Sequence, residues 1–154
     1  MSTAVDGIAV LRAHRLRVTA PRLAVLAVLA ELPAHVTVDE VAERARVRIG
    51  ALSTQAVYDI MGVLHRAGIV RRIAPAGSPA LFETRVGDNH HHLVCRDCGR
   101  TVDVDCVIGG APCLTPASAA GYEIDEAEIT FWGRCPDCTK AGHTETGPRK
   151  EYQR

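Results

Sequence analysis

The first half of the chain contains four segments in which apolar residues recur every three or four positions, the spacing of one face of a helix. Thr19 precedes a proline, and Thr37 lies three residues before Glu40, so both threonines occupy the positions of helix N-caps. We predict helices over residues 5–13, from Thr19 to near residue 33, over residues 38–46, and from Ser53 to residue 68.

The spacing changes to a period of two after residue 68, which is typical of strands. Residues 69–73 and 80–83 are predicted as two strands joined by a Pro- and Gly-rich turn at residues 75–79. Helices followed by an arginine-bearing hairpin are the order of elements in a winged helix-turn-helix. In that fold the last helix enters the major groove and the hairpin, or wing, follows the DNA backbone. Residues 1–84 are therefore predicted to form a DNA-binding domain of this type.

The second half has shorter segments and a different composition. Residues 85–89 are predicted as a hinge and residues 139–154, rich in Thr, Gly and charged residues, as a disordered tail. Residues 90–138 are predicted to contain strands at 93–94, 101–104, 122–124 and 129–132 and one helical turn at 117–120. Small sheets with bare edges associate readily, so we expect a homodimer. The predicted fold class is α+β, with an N-terminal winged helix-turn-helix and a small C-terminal α/β dimerisation domain.

Composition and charge support this division. Hydrophobic residues make up 47% of the sequence but aromatic residues only 4%, so the core is expected to consist of Val, Leu, Ile and Ala. Residues 1–85 contain 11 Arg and 7 acidic residues, a net charge of +4, whereas residues 86–154 contain 7 basic and 11 acidic residues, a net charge of −4. The basic half is expected to face a polyanion such as DNA. No apolar run approaches the ~20 residues of a membrane span. The first ten residues lack Lys and Arg, so we expect no secretory signal, no membrane partner and a cytoplasmic protein.

Cys95 with Cys98, and Cys135 with Cys138, form two Cys-x-x-Cys motifs. Each motif can hold one ion from a tight knuckle, and the two knuckles together supply the four thiolates of a structural Zn²⁺ site. A pair of disulfides and a thioredoxin-like redox pair are the alternatives, although cytoplasmic cysteines more often serve metal or redox chemistry than structural disulfides. A four-thiolate site has no open coordination position, so it is expected to hold the fold and to catalyse nothing.

Three consecutive histidines, His90, His91 and His92, precede the first knuckle and indicate a second metal site. In a strand, His90 and His92 point to the same face, where imidazoles and carboxylates suit a divalent transition metal. His35 lies between two predicted helices and Glu83 ends the wing. If both reach the same ion, that ion joins the two halves across the hinge and fixes the angle between them. The alternative for His35 is an ordinary surface histidine.

Polar residues at the start of the fourth helix, together with arginines of the basic half, are the predicted DNA contacts. Gln55 can bind adenine, and threonine or tyrosine can contact the methyl group of thymine. Arginine contacts to phosphates position a protein without choosing a sequence, and an ordinary solvated face is the alternative for these arginines. Asp59, on the same helix, can pair with a neighbouring arginine or discriminate against wrong bases. The predicted contact residues are Arg15, Arg17, Arg22, Ser53, Thr54, Gln55, Tyr58, Arg71 and Arg72.

Several motifs together resemble the ferric uptake regulator (Fur) family, over about residues 5–138. They are His-His-Leu-Val-Cys-Arg-Asp-Cys-Gly, Cys-Pro-Asp-Cys, Leu-Arg-Val-Thr-Ala-Pro-Arg, Gln-Ala-Val-Tyr and Ala-Gly-Ile-Val. The resemblance implies a homodimeric bacterial repressor that binds double-stranded operator DNA when loaded with Fe²⁺ or a related ion such as Mn²⁺. It also matches Tyr58 to a base-contacting tyrosine and Arg22 to a basic residue after the proline. The implied structural Zn²⁺ ligands are Cys95, Cys98, Cys135 and Cys138, and the implied regulatory ligands are His35, Glu83, His90, His92 and Asp103.

The sequence also departs from the family pattern. The positions of a third metal site in the family are here Asn89, His91, Gly110 and Ala127. Only the histidine among them can coordinate a metal. Asp59 replaces a more common arginine. These features, with Val-Tyr-Asp and Gly-Asp-Asn-His-His-His, resemble the actinobacterial branch that represses a catalase-peroxidase gene, which implies peroxide sensing as well as iron sensing. Asp103 resembles the aspartate of peroxide-sensing members, in which Fe²⁺ and peroxide oxidise a histidine ligand.

Cys106 and Cys113 can supply extra metal ligands, form a redox pair or be small buried side chains. We favour the last, because free cysteine commonly packs as a small hydrophobe. A metal-dependent repressor is the principal functional hypothesis. A zinc-responsive regulator of the same family, a non-haem metalloenzyme and a zinc-stabilised scaffold without DNA contacts are the alternatives. No nucleophile elbow, phosphate-binding loop or deaminase signature accompanies the histidines, which argues against the enzyme.

Overall fold

The computed structural model describes residues 6–107, 114–124 and 127–142, and the chain divides into two compact units, residues 1–89 and 90–154. The first unit contains α1 (Gly7–Ala13), α2 (Ala20–Leu29), α3 (Val38–Ile49), α4 (Thr54–Arg66), β1 (Arg71–Ile73) and β2 (Leu81–Glu83). The second contains β3 (His90–Cys95), β4 (Thr101–Asp105), β5 (Thr130–Gly133) and α5 (Pro136–Lys140). A helical unit with a terminal hairpin, followed by a sheet unit, confirms the predicted α+β fold.

Side-chain caps begin the four helices of the first unit. The capping residues are Asp6, Thr19, Thr37 and Ser53. Thr37 and Glu40 form the predicted capping box, in which each side chain accepts a hydrogen bond from the other residue's backbone N–H, at 2.7 and 3.3 Å. The helix α3 continues past residue 46 to Ile49, because it ends only where Gly50 adopts a left-handed φ of 78°. The predicted start of the first helix, residue 5, lies outside the described residues.

The core of the first unit is built mainly from aliphatic side chains. The helix α4 packs against α2 and α3 through a face whose central side chains are completely buried: Val57, Met61 and Leu64. Burying an aliphatic side chain of this size contributes about 1.5–3 kcal/mol to stability. This packing fixes the rotation of α4, so its opposite face presents Gln55, Tyr58 and Asp59 to solvent.

The wing is an antiparallel pairing of β1 with β2, in which Arg72 lies opposite Phe82. Val36 adds a one-residue bridge on the other side of β2. Its N–H donates to the carbonyl of Phe82 at 3.0 Å, and the N–H of Phe82 donates to the carbonyl of Val36 at 2.8 Å. The segment before α3 is thereby tied to the wing. A single bridge leaves no periodicity in a sequence, so this connection was not predicted.

The sheet of the second unit has the order β4-β3-β5, with β3 antiparallel to β4 and parallel to β5. The strand β3 begins at His90, so it is longer than the predicted segment 93–94. The predicted strand at 122–124 and helical turn at 117–120 are wrong, because residues 114–124 contain no regular element. Ala120 and Gly121 adopt φ of 47° and 84°, values outside the helical and extended regions, and so interrupt the predicted turn and the predicted strand.

The helix α5 was not predicted, although Pro136 occupies a favoured first-turn position. It is only 5 residues long, too short to show a helical repeat of apolar residues. It includes Thr139 and Lys140, which the sequence had assigned to the tail. The tail from residue 143 onward lies outside the described residues. Within the described ranges, no helix is both long enough and apolar enough to span a bilayer.

Candidate metal centre and nucleic-acid interface

The four predicted zinc ligands converge at one edge of the second unit. The sulfur atoms of Cys95, Cys98, Cys135 and Cys138 all lie within 4.8 Å of one another. The Sγ atoms of Cys98 and Cys135 are 3.8 Å apart, and Zn–S bonds of about 2.3 Å in a tetrahedron place sulfurs about 3.8 Å apart. A disulfide requires about 2.05 Å, and all four cysteines are free. The arrangement fits a tetrahedral Zn²⁺ ion, and the four sulfurs are not joined in disulfides in this structure.

The sheet explains why the two knuckles meet. Because β3 and β5 run parallel, with Cys95 opposite Gly133, the two Cys-x-x-Cys motifs leave the same end of the sheet. The N–H of Arg96 donates to the carbonyl of Gly133 at 2.8 Å and extends this pairing into the first knuckle. Gly99, with φ of 73°, closes that knuckle by donating its N–H to the carbonyl of Cys95 at 2.9 Å.

Two ion pairs join one knuckle to the other. Arg134 Nε lies 2.9 Å from Asp97 Oδ2, and Arg100 Nη2 lies 2.8 Å from Asp137 Oδ2. In each pair one residue belongs to the first knuckle region and its partner to the second. Because exposed ion pairs contribute about 0–1 kcal/mol each, they help to align the knuckles but do not replace a metal ion.

The pKa values of Cys95 and Cys138 are shifted in opposite directions because their surroundings differ. Backbone N–H groups of Cys98 and Cys135 lower the pKa of the Cys95 thiol to about 6. A hydrogen bond with the Cys135 sulfur raises the pKa of Cys138 to about 12. Four thiolates at these distances repel one another, so they cannot all be ionised without a cation between them. The donor set therefore fits Zn²⁺, which would be held by all four sulfurs.

In the first unit, His35 and Glu83 form a close pair. His35 Nε2 lies 3.0 Å from Glu83 Oε2, and both side chains are buried. The bridge between Val36 and Phe82 brings these two residues together, since each is the direct neighbour of a bridged residue. Arg71 Nε lies 3.9 Å from Glu83 Oε1. His35 is thus not the exposed surface histidine of the alternative interpretation.

In the second unit, His90, His92 and Asp103 form another cluster. The Nε2 atoms of both histidines are 3.9 Å from Asp103 Oδ1, and the ring centroids are 5.1 Å apart. Asp103 pairs directly with His92 in the β3–β4 register. Two ligand atoms about 2.1 Å from one ion lie about 3–4 Å apart, so these atoms are spaced to share a divalent ion. The sequence missed Glu128, whose Oε1 lies 3.9 Å from His92 Nδ1, because nothing in the spacing links it to the histidines.

The remaining candidate ligands are His91, Cys106 and Cys113. His91 is buried, and its ring packs edge-to-face with the ring of Phe131, with the ring centroids 6.4 Å apart. Cys106 is half-buried directly after β4. Cys113 and Gly110 lie outside the described residues. A redox pair of Cys106 with Cys113 and an extra metal site at His91 stay predictions.

Some of the predicted DNA-contact residues are exposed, and the others are half-buried and interact with other groups of the protein. Ser53, the N-cap of α4, is exposed, as are Gln55 and Tyr58 on the helix, with Tyr58 50% exposed. Thr54 is half-buried and accepts a hydrogen bond from Arg46. The exposed arginines are Arg15, Arg17 and Arg72. Arg22 is half-buried, and its Nη1 donates to the carbonyl of Arg17 at 2.7 Å. Arg71 is likewise half-buried, against the carboxylate of Glu83, so Arg72 is the wing arginine that faces solvent.

Comparison with known proteins places these features in one family. The model of the ferric uptake regulator family matches residues 13–131. The "Transcriptional regulator FurA" of Mycobacterium tuberculosis is 47% identical over 148 residues, which cover 96% of this chain and 100% of that protein. The "Ferric uptake regulation protein 1" of Mycolicibacterium fortuitum is 52% identical over 132 residues, covering 86% of this chain and 81% of that protein.

A more distant relative, the "Peroxide operon regulator" of Bacillus subtilis, is 24% identical over 135 residues, covering 88% of this chain and 92% of that protein. The crystal structure of the ferric uptake regulator of Vibrio cholerae superimposes with a TM-score of 0.66 and 27% identity, covering 84% of this chain and 100% of that chain. The family consists of transcriptional regulators, which argues against the metalloenzyme alternative. The chain therefore belongs to the ferric uptake regulator family and is a metal-responsive transcriptional regulator.

Proposed function

We propose that the protein is a homodimeric repressor that binds operator DNA when a regulatory site holds Fe²⁺ or Mn²⁺, while Zn²⁺ in the four-cysteine site maintains the fold. The observation that carries the proposal is the presence of an incomplete ligand set in each unit. His35 and Glu83 lie 3.0 Å apart in the first unit, and His90 and His92 each lie 3.9 Å from Asp103 in the second. Neither set alone fills the coordination sphere of a divalent ion.

We propose that one ion takes its ligands from both sets, namely His35, Glu83, His90, His92 and Asp103. Three imidazoles and two carboxylates suit Fe²⁺ and Mn²⁺, which accept mixed nitrogen and oxygen ligands. An ion shared in this way favours one relative orientation of the units, and an effector shifts such an equilibrium only by its differential affinity for the two orientations. Metal binding would therefore select the orientation in which both DNA-binding units of a dimer fit their half-sites.

The DNA-binding surface that we propose comprises the exposed face of α4 and the exposed arginines around it. Ser53, Gln55 and Tyr58 would contact bases in the major groove, with Thr54 at the helix start. Arg15, Arg17 and Arg72 would contact phosphates. Arg22 would act through its hydrogen bond to the carbonyl of Arg17, which holds the loop before α2 in place.

We propose further that the regulated genes serve peroxide defence, among them a catalase-peroxidase gene, and iron-linked processes in the cytoplasm. The Val-Tyr-Asp and Gly-Asp-Asn-His-His-His motifs support this assignment, because they resemble the actinobacterial branch that represses a catalase-peroxidase gene. Asp103 supports it because it resembles the aspartate of peroxide-sensing members of the family. The distant similarity to a peroxide operon regulator supports it as well. The ligand histidines would be the site of oxidation when Fe²⁺ meets peroxide.

A zinc-responsive regulator is the second candidate, because imidazole and carboxylate ligands also bind Zn²⁺. Anaerobic fluorescence-anisotropy titrations on the DNA upstream of the protein's own gene distinguish the two. We expect Fe²⁺ and Mn²⁺ to promote a specific complex, and hydrogen peroxide to abolish the Fe²⁺-dependent complex only. A response to Zn²⁺ alone would favour the second candidate. A complex that forms equally well with and without each metal would contradict both candidate functions.

A further inference from the structure

A hydrogen bond on the exposed face of α4 points to a residue that controls which base is recognised. Gln55 Nε2 donates to Asp59 Oδ1 at 3.0 Å, one helical turn further along α4, and both side chains are exposed. Tyr58 is exposed beside them. The inference deepens the proposed function and rests on it, because it assumes that this face of α4 enters the major groove.

The carboxylate of Asp59 can only accept hydrogen bonds, so it selects one orientation of the Gln55 amide. In that orientation the amide nitrogen faces the carboxylate and the amide oxygen faces away from it. The flipped amide would bring its oxygen against a negatively charged oxygen. Asp59 therefore favours one of the two flipped orientations that the amide of a free glutamine adopts in solution.

The amide groups that remain match one base. A glutamine amide has two N–H donors and one carbonyl acceptor. When one N–H is bound to Asp59, one donor and one acceptor are left to face the groove. Adenine presents the complementary pair there, an N7 acceptor and an N6 donor, whereas guanine presents two acceptors. A glutamine held in this way is suited to bind adenine through two hydrogen bonds.

The charge of Asp59 argues that the arrangement serves selectivity. A carboxylate on a face that approaches phosphates weakens binding to DNA of any sequence. Such a group still improves selectivity when it lowers the affinity for wrong sequences more than it lowers the affinity for the operator. The carboxylate of Asp59 also finds no hydrogen-bond donor on guanine, which presents only acceptors in the major groove. Asp59 therefore disfavours guanine near Gln55.

Gly62, on the same side of α4, supplies an independent indication that another molecule approaches this helix closely. Among the described residues, the heavy atom that a Cβ at this position would meet is Nη1 of Arg66, at 3.4 Å, the mobile end of a long side chain. Packing within the protein therefore does not require glycine here. A glycine in the middle of a helix lets a partner approach the backbone.

We propose that Asp59 is a positioning residue that orients Gln55 to recognise an adenine in each operator half-site. Asp59 acts through Gln55 and sets sequence preference, whereas the arginines set overall affinity. The Asp59→Ala variant should therefore bind non-specific DNA more tightly than the parent, because a negative charge is removed, and should discriminate less.

The test is a selection of binding sites from random double-stranded DNA by the full-length, metal-loaded protein, followed by anisotropy measurements on the enriched sequence and its single-base variants. We expect the parent to enrich an adenine whose replacement lowers affinity roughly 5- to 150-fold, the range of one good bidentate contact. Gln55→Ala should lose this preference. Asp59→Ala should reduce it at least about fivefold.

Two further variants separate positioning from charge. Asp59→Asn removes the charge and replaces the carboxylate with an amide that can either accept from Gln55 or donate to it, so the Gln55 amide is no longer held in one orientation and we expect most of the adenine preference to be lost. Glu43→Ala removes an exposed acidic residue of α3 and should leave the preference unchanged. An adenine preference as strong in Asp59→Asn as in the parent would overturn the proposal.

The failure of this inference can be told from the failure of the proposed function. A parent protein that enriches no sequence under any metal condition overturns the proposed function, and this inference with it. A parent that enriches an operator, while Asp59→Ala enriches the same operator with the same base preferences, overturns this inference alone.

Discussion

At the scale of single residues, the cysteines of the zinc site and the histidines of the regulatory site are expected to fail differently when replaced. In the proposed function, each cysteine would supply one of four bonds in a closed site whose metal binding is part of the folding free energy. Each histidine would supply one ligand of a site that switches an already folded protein. The two kinds of substitution should therefore separate folding from regulation.

Cys95→Ser is expected to release zinc and to unfold the second unit or dissociate the dimer. Structural Zn²⁺ contributes apparent binding free energies on the order of 10 kcal/mol, which is comparable to the whole stability of a small domain. Elemental analysis and sedimentation would measure the result. Cys106→Ser is the matched control and should keep one zinc per chain. A Cys95→Ser protein that keeps stoichiometric zinc would remove Cys95 from the site.

His92→Ala is expected to keep its zinc and its folded dimer but to need at least about tenfold more regulatory metal for half-maximal DNA binding, since disturbing the surroundings of a ligand alone already costs 10- to 100-fold. Metal-dependent anisotropy measures this shift. His14→Ala, at an exposed histidine of the first unit, serves as the control. Equal metal dependence of His92→Ala and the parent would show that the switch lies elsewhere.

The residues of these sites were predicted to different extents. The cysteines could be assigned from sequence because their spacing has few other uses, and the four sulfurs do converge. The association of His35 with Glu83 depends on the bridge between Val36 and Phe82, which sequence spacing does not reveal. The role of Arg71 could not be read from charge alone, because only the fold shows that it lies against Glu83.

At the scale of elements, a substitution on the outer face of α4 is predicted to stabilise the fold and to weaken operator binding. Gly62→Ala should raise the free energy of unfolding by about 0.5–1 kcal/mol, because alanine loses less backbone entropy in a helix. It should also weaken operator binding by filling the space that a close partner needs. Urea denaturation and anisotropy measure the two effects.

Gly77 in the wing provides the contrasting position. Its φ of 78° lies in the left-handed region, so Gly77→Ala should lower the free energy of unfolding by about 1–2 kcal/mol. If Gly62→Ala left operator affinity unchanged while stabilising the fold, the close approach to α4 would be contradicted.

Elements with a clear local signal were predicted well. The helices of the first unit start at the residues whose side chains cap them, and the hairpin lies where the periodicity changes. The strand assigned to residues 122–124 failed because alternation alone does not guarantee a pairing partner, and Tyr122 is 78% exposed. The helix α5 was missed because one and a half turns carry too little pattern.

At the scale of the whole molecule, the excess of arginine in the first half predicts a strong dependence of DNA affinity on salt. The logarithm of the affinity falls with the logarithm of salt concentration by about 0.9 for each phosphate neutralised. Arg72→Ala should reduce this slope by about 0.9 per protomer, because Arg72 is exposed on the wing.

Arg71→Ala is the matched comparison, since the two arginines are neighbours on β1. Arg71 lies against Glu83, so its removal should leave the salt slope nearly unchanged and instead alter the metal dependence of binding. Anisotropy at several salt concentrations measures both slopes. A larger change in slope for Arg71→Ala than for Arg72→Ala would contradict the assignment of the phosphate contacts.

The parallel pairing of β3 with β5 has a practical consequence for the chain that connects the strands. The sheet itself brings the two knuckles together, and the connection after β4 returns the chain to β5. Doubling the length of such a connection costs only about 0.6 kcal/mol in closure entropy. A fluorescent reporter or affinity tag placed in this connection should therefore leave zinc retention intact.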